Sequence, residues 1–333
     1  MWNPTEQEKQ LLRQSASKDR NIACAAQDKI AKALELPLRQ GVQPGDIIGG
    51  IFERIPAEGT STVEFPLDWL APGTEGEFVA YTVPRFGAIP QRFVSSDFVM
   101  VPVYDIAGAI DWDIKYARDA RWDVVAKMGE RLRNQFVKKK NDDGWHTLLA
   151  AGYNRNIVVA DSDAVAGEFS VRLVSLMKTV MARNGGGNTT SLNGGVLTDL
   201  YMSIEAEADI RSWNVDMIDE YTRREIFTSP EGTLSRIFSV NLHPLHELGE
   251  GQEYDTFFTS TLGGGFPNAG NQKLELCVGL DLRNRDSFVM PVAEDLTILN
   301  DDTKMRARMR GMYGWMSLGF GVLDSRRILL GAI

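Results

Sequence analysis

The sequence predicts an α+β fold in which a polar segment and an extended, strand-forming segment precede a long helix and a compact α/β body. Lysine is absent from Ala33 to Ile114, and five prolines punctuate β-branched and aromatic residues in the later part of that stretch. Nine Lys or Arg residues then follow between Lys115 and Lys140, where the apolar residues have helical spacing. The rest of the chain alternates short helical and strand patterns and ends in an apolar strand.

The composition is that of a globular protein. With 333 residues, 43% hydrophobic and 24% charged, the chain can form one to three domains with a sizeable core. The net charge of −9 argues against a dedicated nucleic-acid-binding protein but is compatible with one basic face. No signal-peptide pattern and no stretch of about 18 apolar residues is present. Cys24 and Cys277 are expected to be free thiols in a reducing compartment.

The N-terminal segment is polar and helix-permissive over residues 5–38. Its apolar residues are too sparse for a self-sufficient amphipathic helix. Two interpretations remain open: a frayed tail, or an arm that becomes ordered only on a neighbouring subunit.

An extended ribbon is predicted to follow, with strands over Thr60–Leu67, Glu77–Val83 and Phe93–Val103 and a turn at 71–76. Because proline cannot donate to a strand ladder, these strands should lie at sheet edges or in an isolated ribbon. A two-stranded ribbon of this length would reach about 40–60 Å and would be only marginally stable in water. We therefore expect it to pack on another subunit, the alternative being that it folds back onto its own domain.

Residues 111–140 are predicted to form one long amphipathic helix that ends at the break Asn141–Gly144, with a second short helix over Trp145–Ala151. Its apolar stripe consists of Ile110, Ile114, Ala117, Val124, Met128, Leu132 and Phe136. Its basic face consists of Lys115, Arg118, Lys127, Arg131, Lys138 and Lys139. This face is either solvated or turned toward nucleic acid, in which case the contact would be independent of sequence and sensitive to salt.

The remaining chain is predicted to be an α/β body. The helix candidates are Glu168–Ala182, Thr198–Asp209 and Met217–Phe227, and the strand candidates are Arg236–Leu242, Leu274–Leu282 and Phe288–Val292. Residues 249–272 are rich in Gly, Asn and Thr and predict a long exposed loop, whereas Thr303–Leu318 is compatible with strand or helix.

Motifs for catalysis or cofactor binding are absent from the sequence. His243, His246 and Glu247 are the only clustered metal-ligand candidates, and Pro244 prevents a helical zinc-binding pair. No phosphate-binding glycine motif or nucleophile elbow is present. We predict no catalytic, cofactor-binding or metal residues, and a soluble enzyme with a metal at His243 and His246 is kept as a minor alternative.

The order of these segments resembles the major capsid proteins of tailed bacteriophages, which have the Hong Kong 97-like fold. The phrase Gly321-Val322-Leu323-Asp324-Ser325-Arg326-Arg327-Ile328-Leu329 is similar to the ending of that family. The resemblance implies a domain layout of N-terminal arm, extended loop (β-hairpin), peripheral domain with a spine helix, and axial domain. Their ranges would be 1–56 for the arm, 57–104 for the loop, 105–155 with 291–312 for the peripheral domain, and 156–290 with 313–333 for the axial domain.

By this resemblance the chain would self-assemble, in the host cytoplasm, as hexamers and pentamers of an icosahedral virion head around double-stranded DNA. The candidate inter-subunit contacts on the loop are Phe65, Leu67, Trp69, Leu70, Phe78, Val79 and Tyr81, and the basic helix face would line the interior. The expected partners are a separate scaffolding protein, a portal and a cement protein. Since the loop has no lysine, it cannot form the isopeptide bond of some family members. An encapsulin-like nanocompartment shell is the main alternative, and another virion protein fits less well.

Overall fold

The computed structural model describes most of the chain from Asp46 onward. The described residues are 46–57, 61–67, 97–115, 122–164, 167–184, 195–213, 236–266, 275–283, 285–301, 303 and 307–333, with seven isolated positions between 10 and 29, all helical. No helix among them is long and apolar enough to cross a membrane.

The elements are labelled in chain order as follows. They are α1 (Ile47–Ile51), β1 (Glu53–Pro56), β2 (Thr62–Leu67), β3 (Asp97–Pro102), β4 (Tyr104–Asp113), α2 (Trp122–Asn154), β5 (Val158–Ala160), α3 (Val171–Asn184), β6 (Asp199–Met202), α4 (Ile204–Ser212), β7 (Arg236–Ile237), β8 (Val240–Pro244), α5 (Glu253–Thr256), β9 (Leu276–Leu280), β10 (Phe288–Asp301), β11 (Met309–Leu318), β12 (Gly321–Val322) and β13 (Ile328–Ala332). Single turns of 3₁₀-helix at Arg285–Ser287 and Ser325–Arg327 precede β10 and β13.

The chain divides into two compact units. The first comprises Met1–Val63, Met100–Gly144 and Val289–Gly321, and the second comprises Glu64–Val99, Trp145–Phe288 and Val322–Ile333.

The first unit is built on a sheet of order β1-β10-β11-β4, to which β12 adds by pairing with β10. β1 runs parallel to β10, whereas β11 is antiparallel to both β10 and β4. β4 and β11 are paired over ten consecutive residues, from Tyr104 opposite Leu318 to Asp113 opposite Met309. The Thr303–Leu318 segment is therefore strand over β11.

The predicted start of the long helix was wrong, because residues 111–113 belong to strand β4. Ile110 and Trp112 alternate there with Asp111 and Asp113, which is the two-residue period of a strand. The sequence interpretation instead assigned Ile110 and Ile114 to a helical stripe. Two well-spaced apolar residues fit either period, and the ten-residue pairing with β11 favours the strand.

The predicted helix break at Asn141–Gly144 was also wrong, since α2 runs through it without interruption to Asn154. Gly144 lies against the side chain of Ile48 in α1, where a Cβ atom would come within 2.8 Å of Ile48 Cγ2. The glycine thus permits close approach of α1 instead of ending α2. Leu132 and Phe136, which were predicted to lie on the apolar stripe, are both buried and pack over Gly108 of β4.

The second unit contains a six-stranded sheet of order β5-β13-β9-β6-β8-β7. β6, β9 and β13 are buried along their whole length, which is typical of strands covered on both faces. Helix α3 supplies one side of the hydrophobic core through Leu173, Met177 and Met181. Helix α3 and strands β9 and β10 confirm the sequence prediction, and the predicted strand Arg236–Leu242 is divided between β7 and β8 by a turn at Phe238–Ser239.

The predicted helix at Thr198–Asp209 was wrong in its first half, which forms strand β6. A strand buried on both faces shows no alternation, so its four residues could be taken for the start of a helix. Ser203 marks the change, because its Oγ accepts a hydrogen bond from the N–H of Ala206 (3.0 Å) and caps α4.

The exposed loop predicted at 249–272 was also wrong over its described part. α5 continues into a π-helical turn at Phe257–Thr261, and Tyr254 and Phe258 are almost completely buried. The ring of Tyr254 stacks on Trp145 of α2 with the centroids 5.7 Å apart. Two buried aromatic side chains therefore outweigh the glycine-rich composition of this segment.

β2 and β3 pair with each other in a separate two-stranded sheet. They correspond to the first and last strands predicted for the ribbon. The predicted strand Glu77–Val83, the turn at 71–76 and the helix Met217–Phe227 lie outside the described residues.

Candidate interaction surfaces

A two-stranded sheet exposes large apolar side chains at β3. Phe98 and Met100 are 56% and 63% exposed, whereas Val101 is 2% exposed. The strand alternation places Phe98 and Met100 on one face and Val101 on the other. The described part of β3 thus presents two large apolar side chains to solvent on one face.

The predicted contact residues lie only partly within the described chain. Phe65 is half-buried in β2, and Leu67 is the last residue of that strand. The remaining predicted contacts, which are Trp69, Leu70, Phe78, Val79 and Tyr81, lie outside the described residues. Sequence reasoning missed Phe98 and Met100 as contact candidates, although the apolar alternation of Phe93–Val103 was the signal that could have identified them.

The predicted basic face is exposed at its described positions. Arg131, Lys138 and Lys139 are exposed on α2. Lys139 Nζ lies 2.7 Å from Asp143 Oδ1 in an i, i+4 ion pair. Lys115 is also exposed, two residues after the end of β4, and residues 116–121 between it and α2 lie outside the described part of the chain.

The other members of the basic face are Arg118, which lies outside the described residues, and Lys127, whose backbone is in α2 but whose side chain is not described.

A buried ion pair anchors α1 to α2 in the first unit. Asp46 caps α1 by accepting a hydrogen bond from the N–H of Gly49 (2.9 Å), and its carboxylate also pairs with Lys140 of α2. Both side chains are 10% exposed. This explains why Lys140 is buried although it follows two exposed lysines in sequence. The pair fixes the start of α1 against α2.

A cavity of about 570 Å³ opens beside this anchor, between α1 and strand β10. Its apolar lining consists of Met290, Val292, Leu296, Met316 and Leu318. The exposed ion pair of Arg54 with Asp295, whose Nη2 and Oδ1 atoms are 2.7 Å apart, lies at the same cavity. β1 covers β10 only from Val289 to Val292, so the described residues leave the following part of that β10 edge without a strand partner. An open edge next to an apolar cavity could accept an added strand.

A second charged cluster holds the C-terminal strand of the second unit. Asp281 is completely buried, and its Oδ2 accepts hydrogen bonds from Arg327 Nη1 (2.5 Å) and from the N–H of Val196 (3.0 Å). Burial alone would raise the pKa of Asp281, but hydrogen bonds from Arg283 and Val196 and the charge of Arg327 outweigh it, so the pKa is lowered. The cluster fixes the turn before β13 to the end of β9.

The turn before β13 is also closed locally. Asp324 accepts a hydrogen bond from the N–H of Arg326 (3.0 Å) and another from its Nε atom (2.9 Å). Arg155, just beyond the end of α2, donates to the carbonyls of Ser325 (3.3 Å) and Ile328 (3.1 Å). The segment Asp324–Ile328 therefore holds the start of strand β13 in place through these hydrogen bonds.

His243, one of the residues of the alternative metal site, contacts two other side chains of the protein. Its Nε2 lies 2.9 Å from Asp199 Oδ1, and its ring stacks on Tyr201 with the centroids 4.8 Å apart. Burial would raise the pKa of Asp199, but hydrogen bonds from His243, Thr198 and Asn241 outweigh it and lower the pKa. Within the described residues, no group of three or more His, Cys, Asp or Glu side chains could hold a metal ion.

Two carboxyl groups are buried together near α5. Asp255 and Glu275 are 3% and 6% exposed, and Ser203 Oγ donates to Glu275 Oε2 at 2.5 Å. Burial raises the pKa of Asp255 to about 7, opposed by the hydrogen bond from Leu276 N–H and reinforced by the charge of Glu275. Burial likewise raises the pKa of Glu275, opposed by Ser203. These raised pKa values predict that the stability of the second unit depends on pH.

Comparison with solved structures identifies phage particles as structural relatives. The structure of Microbacterium phage Oxtober96 has a TM-score of 0.58 and 11% identity, over 87% of this chain and 90% of that one. The capsid of the empty GTA particle has a TM-score of 0.52 and 13% identity, over 87% and 90% of the two chains. The capsid of Myoviridae phage XM1 has a TM-score of 0.51 and 13% identity, over 85% and 90%. No family model and no curated protein matches the sequence.

These likenesses extend over most of both chains, so they concern the whole architecture and not one common motif. The chain has a mixed α+β fold that it shares with phage capsid structures.

Proposed function

We propose that this chain is the major capsid protein of a tailed double-stranded DNA bacteriophage and that its copies assemble as hexamers and pentamers into an icosahedral head. The observation that carries the proposal is the common fold with capsid structures over 85–87% of the chain. The role is structural, and its mechanism is the burial of surface between copies.

In this proposal the first unit corresponds to the peripheral domain of the Hong Kong 97-like fold and the second unit to the axial domain. The division of the chain after Gly144 and again after Phe288 supports this assignment. The first unit contains the part of α2 that precedes Trp145, as expected for a spine helix. The second unit contains the fully buried strands β6, β9 and β13.

The ribbon that includes β2 and β3 would dock on a neighbouring copy. Phe98 and Met100 support this, because a two-stranded sheet with exposed apolar side chains gains stability by covering them. The N-terminal arm would dock in the same way, starting from the point where Asp46 and Lys140 fix α1.

The exposed Arg131, Lys138 and Lys139 would face the packaged DNA. The net charge of −9 suits a container whose contacts with DNA remain weak enough for packaging and release. A scaffolding protein, a portal and a cement protein are the partners that such a head requires.

The proposal is tested by negative-stain electron microscopy of the purified chain, expressed alone and with its scaffolding protein. We expect shells, tubes or capsomer rings, and particles recovered from infected cells should contain double-stranded DNA. Shells that carry a protein cargo and no DNA would identify the encapsulin-like alternative. A chain that stays monomeric in both expressions would contradict the proposal.

A further inference from the structure

One arginine of the first unit is buried without a counter-charge from the part of the chain that the structure describes. Arg310 of β11 is 1% exposed, and its Nε and Nη1 atoms have no hydrogen-bond partner. No ion pair to it is present among the described residues. A guanidinium group keeps its positive charge throughout the pH range of folded proteins. Burying such a charge without a partner is among the most unfavourable arrangements in a protein interior, so an anion is expected beside it.

A second unsatisfied donor lies directly across the strand pair. Arg310 is the register partner of Trp112 in β4, and antiparallel register partners project from the same face of the sheet. Trp112 is 4% exposed, and its indole Nε1 also lacks a hydrogen-bond partner within the described ranges. The two side chains together present a positive charge and an extra N–H donor, and neither supplies an acceptor.

The nearby carboxylates of the same strand do not fill this role. Asp111 and Asp113 flank Trp112 in sequence, and strand alternation directs them to the opposite face. A Cβ atom added to Gly311, the residue after Arg310, would come within 2.4 Å of Asp111 Oδ1, which agrees with that placement. Asp113 accepts a hydrogen bond from the N–H of Lys115 (2.9 Å).

The face that carries Arg310 and Trp112 is the one on which α2 packs. Further along it, Gly108 and Gly314 are register partners, and Phe136 of α2 lies within 3.5 Å of the position of a Cβ on either glycine. Arg310 and Trp112 are therefore buried on the face of the strand pair that α2 covers further along, away from bulk water. The last backbone hydrogen bond of this strand pair, from Ile114 N–H to Arg308 O (3.0 Å), lies close by. Fraying at this end would give a small ion access to the site.

We propose that Arg310 and Trp112 form a buried binding site for one small anion, a halide or a small carboxylate, taken from solution. The bound anion supplies the negative charge that the buried Arg310 lacks. Its binding stabilises the first unit, and the stabilisation increases with the concentration of the anion. This inference does not depend on the shell-building role.

The test is thermal unfolding of the unassembled chain at constant ionic strength, with sodium gluconate replaced stepwise by sodium chloride or sodium formate. The wild type should gain about 2–4 °C in Tm between 1 and 100 mM of the small anion. Arg310→Met should lose this response, and Trp112→Phe should reduce it. Arg308→Met, which removes the same charge from an exposed position of the same segment, should keep it.

A second measurement uses only the wild type, in case Arg310→Met does not fold. Crystals soaked in sodium bromide should show an anomalous peak within hydrogen-bond distance of the Arg310 guanidinium. Tm values of the wild type that are the same in gluconate and chloride would overturn the proposal. Bromide crystals without a peak at Arg310, or an Arg310→Met variant that keeps the full response, would also overturn it.

Discussion

The buried carboxylate of Asp281 holds together segments that are far apart in the sequence. It is separated by 46 positions from Arg327, with which it pairs, and it also accepts the N–H of Val196. In the sequence alone, the segment Gly321–Leu329 stands out only through its similarity to a family ending. Its physical basis could not be inferred there, because the partner of Arg327 lies far away in sequence and is found only once β9 and β13 pair.

Replacing Asp281 with Asn should destabilise the second unit by about 3 kcal/mol, because Arg327 loses its buried partner and keeps only the longer ion pair with Asp324 (3.7 Å). Urea unfolding of the unassembled chain measures the change. Asp286→Asn, at an exposed position five residues further on, is the control and should change stability by less than about 0.5 kcal/mol. Equal stabilities of the two variants would show that the cluster does not hold the C-terminal strand.

The pH dependence of stability tests the buried Asp255. Its pKa in the folded chain is raised to about 7, above the value of an unfolded aspartate, so the stabilisation is complete at low pH and is lost as the pH rises through 7. We expect Tm to fall as the pH rises from about 4, near the pKa of an unfolded aspartate, to about 7, and to change little above pH 8. Asp255→Asn should remove most of this fall, whereas Glu253→Gln, at an exposed position of α5, should keep it. A fall of the same size in Asp255→Asn would contradict the assignment.

At the scale of elements, α1 and α2 depend on each other through Gly144. The sequence suggested a helix end there because Asn, Asp and Gly usually mark one. The structure instead shows Ile48 occupying the space that a side chain at 144 would need, with three of its carbon atoms within 3 Å of a Cβ position. Local composition could not reveal this, since the contact joins residues 96 positions apart in sequence. The apolar positions Leu132 and Phe136 were predictable, because helical spacing is a local signal.

Gly144→Ala should therefore destabilise the first unit by about 1–2 kcal/mol, because the steric cost of overpacking exceeds the gain in helix propensity of about 1 kcal/mol. Chemical denaturation is the measurement. Gly50→Ala in α1, where nothing lies within 4 Å of the added Cβ, is the matched control and should not destabilise. Ile48→Ala should largely remove the cost of Gly144→Ala, and additive effects of the two changes would contradict the proposed contact.

The exposed face of β3 should matter for assembly and not for folding. We expect the double variant Phe98→Ser, Met100→Ser to keep the Tm of the unassembled chain within about 2 °C, because both side chains are mostly exposed. Its yield of shells or rings, counted by electron microscopy, should fall at least tenfold. Val101→Ser is the contrasting variant, since Val101 is buried and its loss should lower Tm. Normal shells from the double variant would show that this face is not an interface.

At the scale of the whole molecule, the order of segments predicted more than the individual elements did. The α+β class and the likeness to phage capsids followed from that order and are supported by the common fold. Several local predictions were nevertheless wrong. Residues 111–113 form a strand and not the start of a helix, and α2 continues where a helix break was predicted. The segment around Tyr254 is buried, although an exposed loop was predicted there. In each case a contact between distant residues outweighed the local pattern.

The central claim is that apolar surface exposed on the single chain becomes buried against other copies of the same chain. Sedimentation velocity of the purified full-length chain over a wide range of concentrations tests this most directly, with a variant lacking residues 62–82 run in parallel. The proposal predicts capsomer-sized or larger species for the full-length chain and a folded, soluble monomer for the deletion variant. A full-length chain that sediments as a compact monomer at the highest concentration would contradict it.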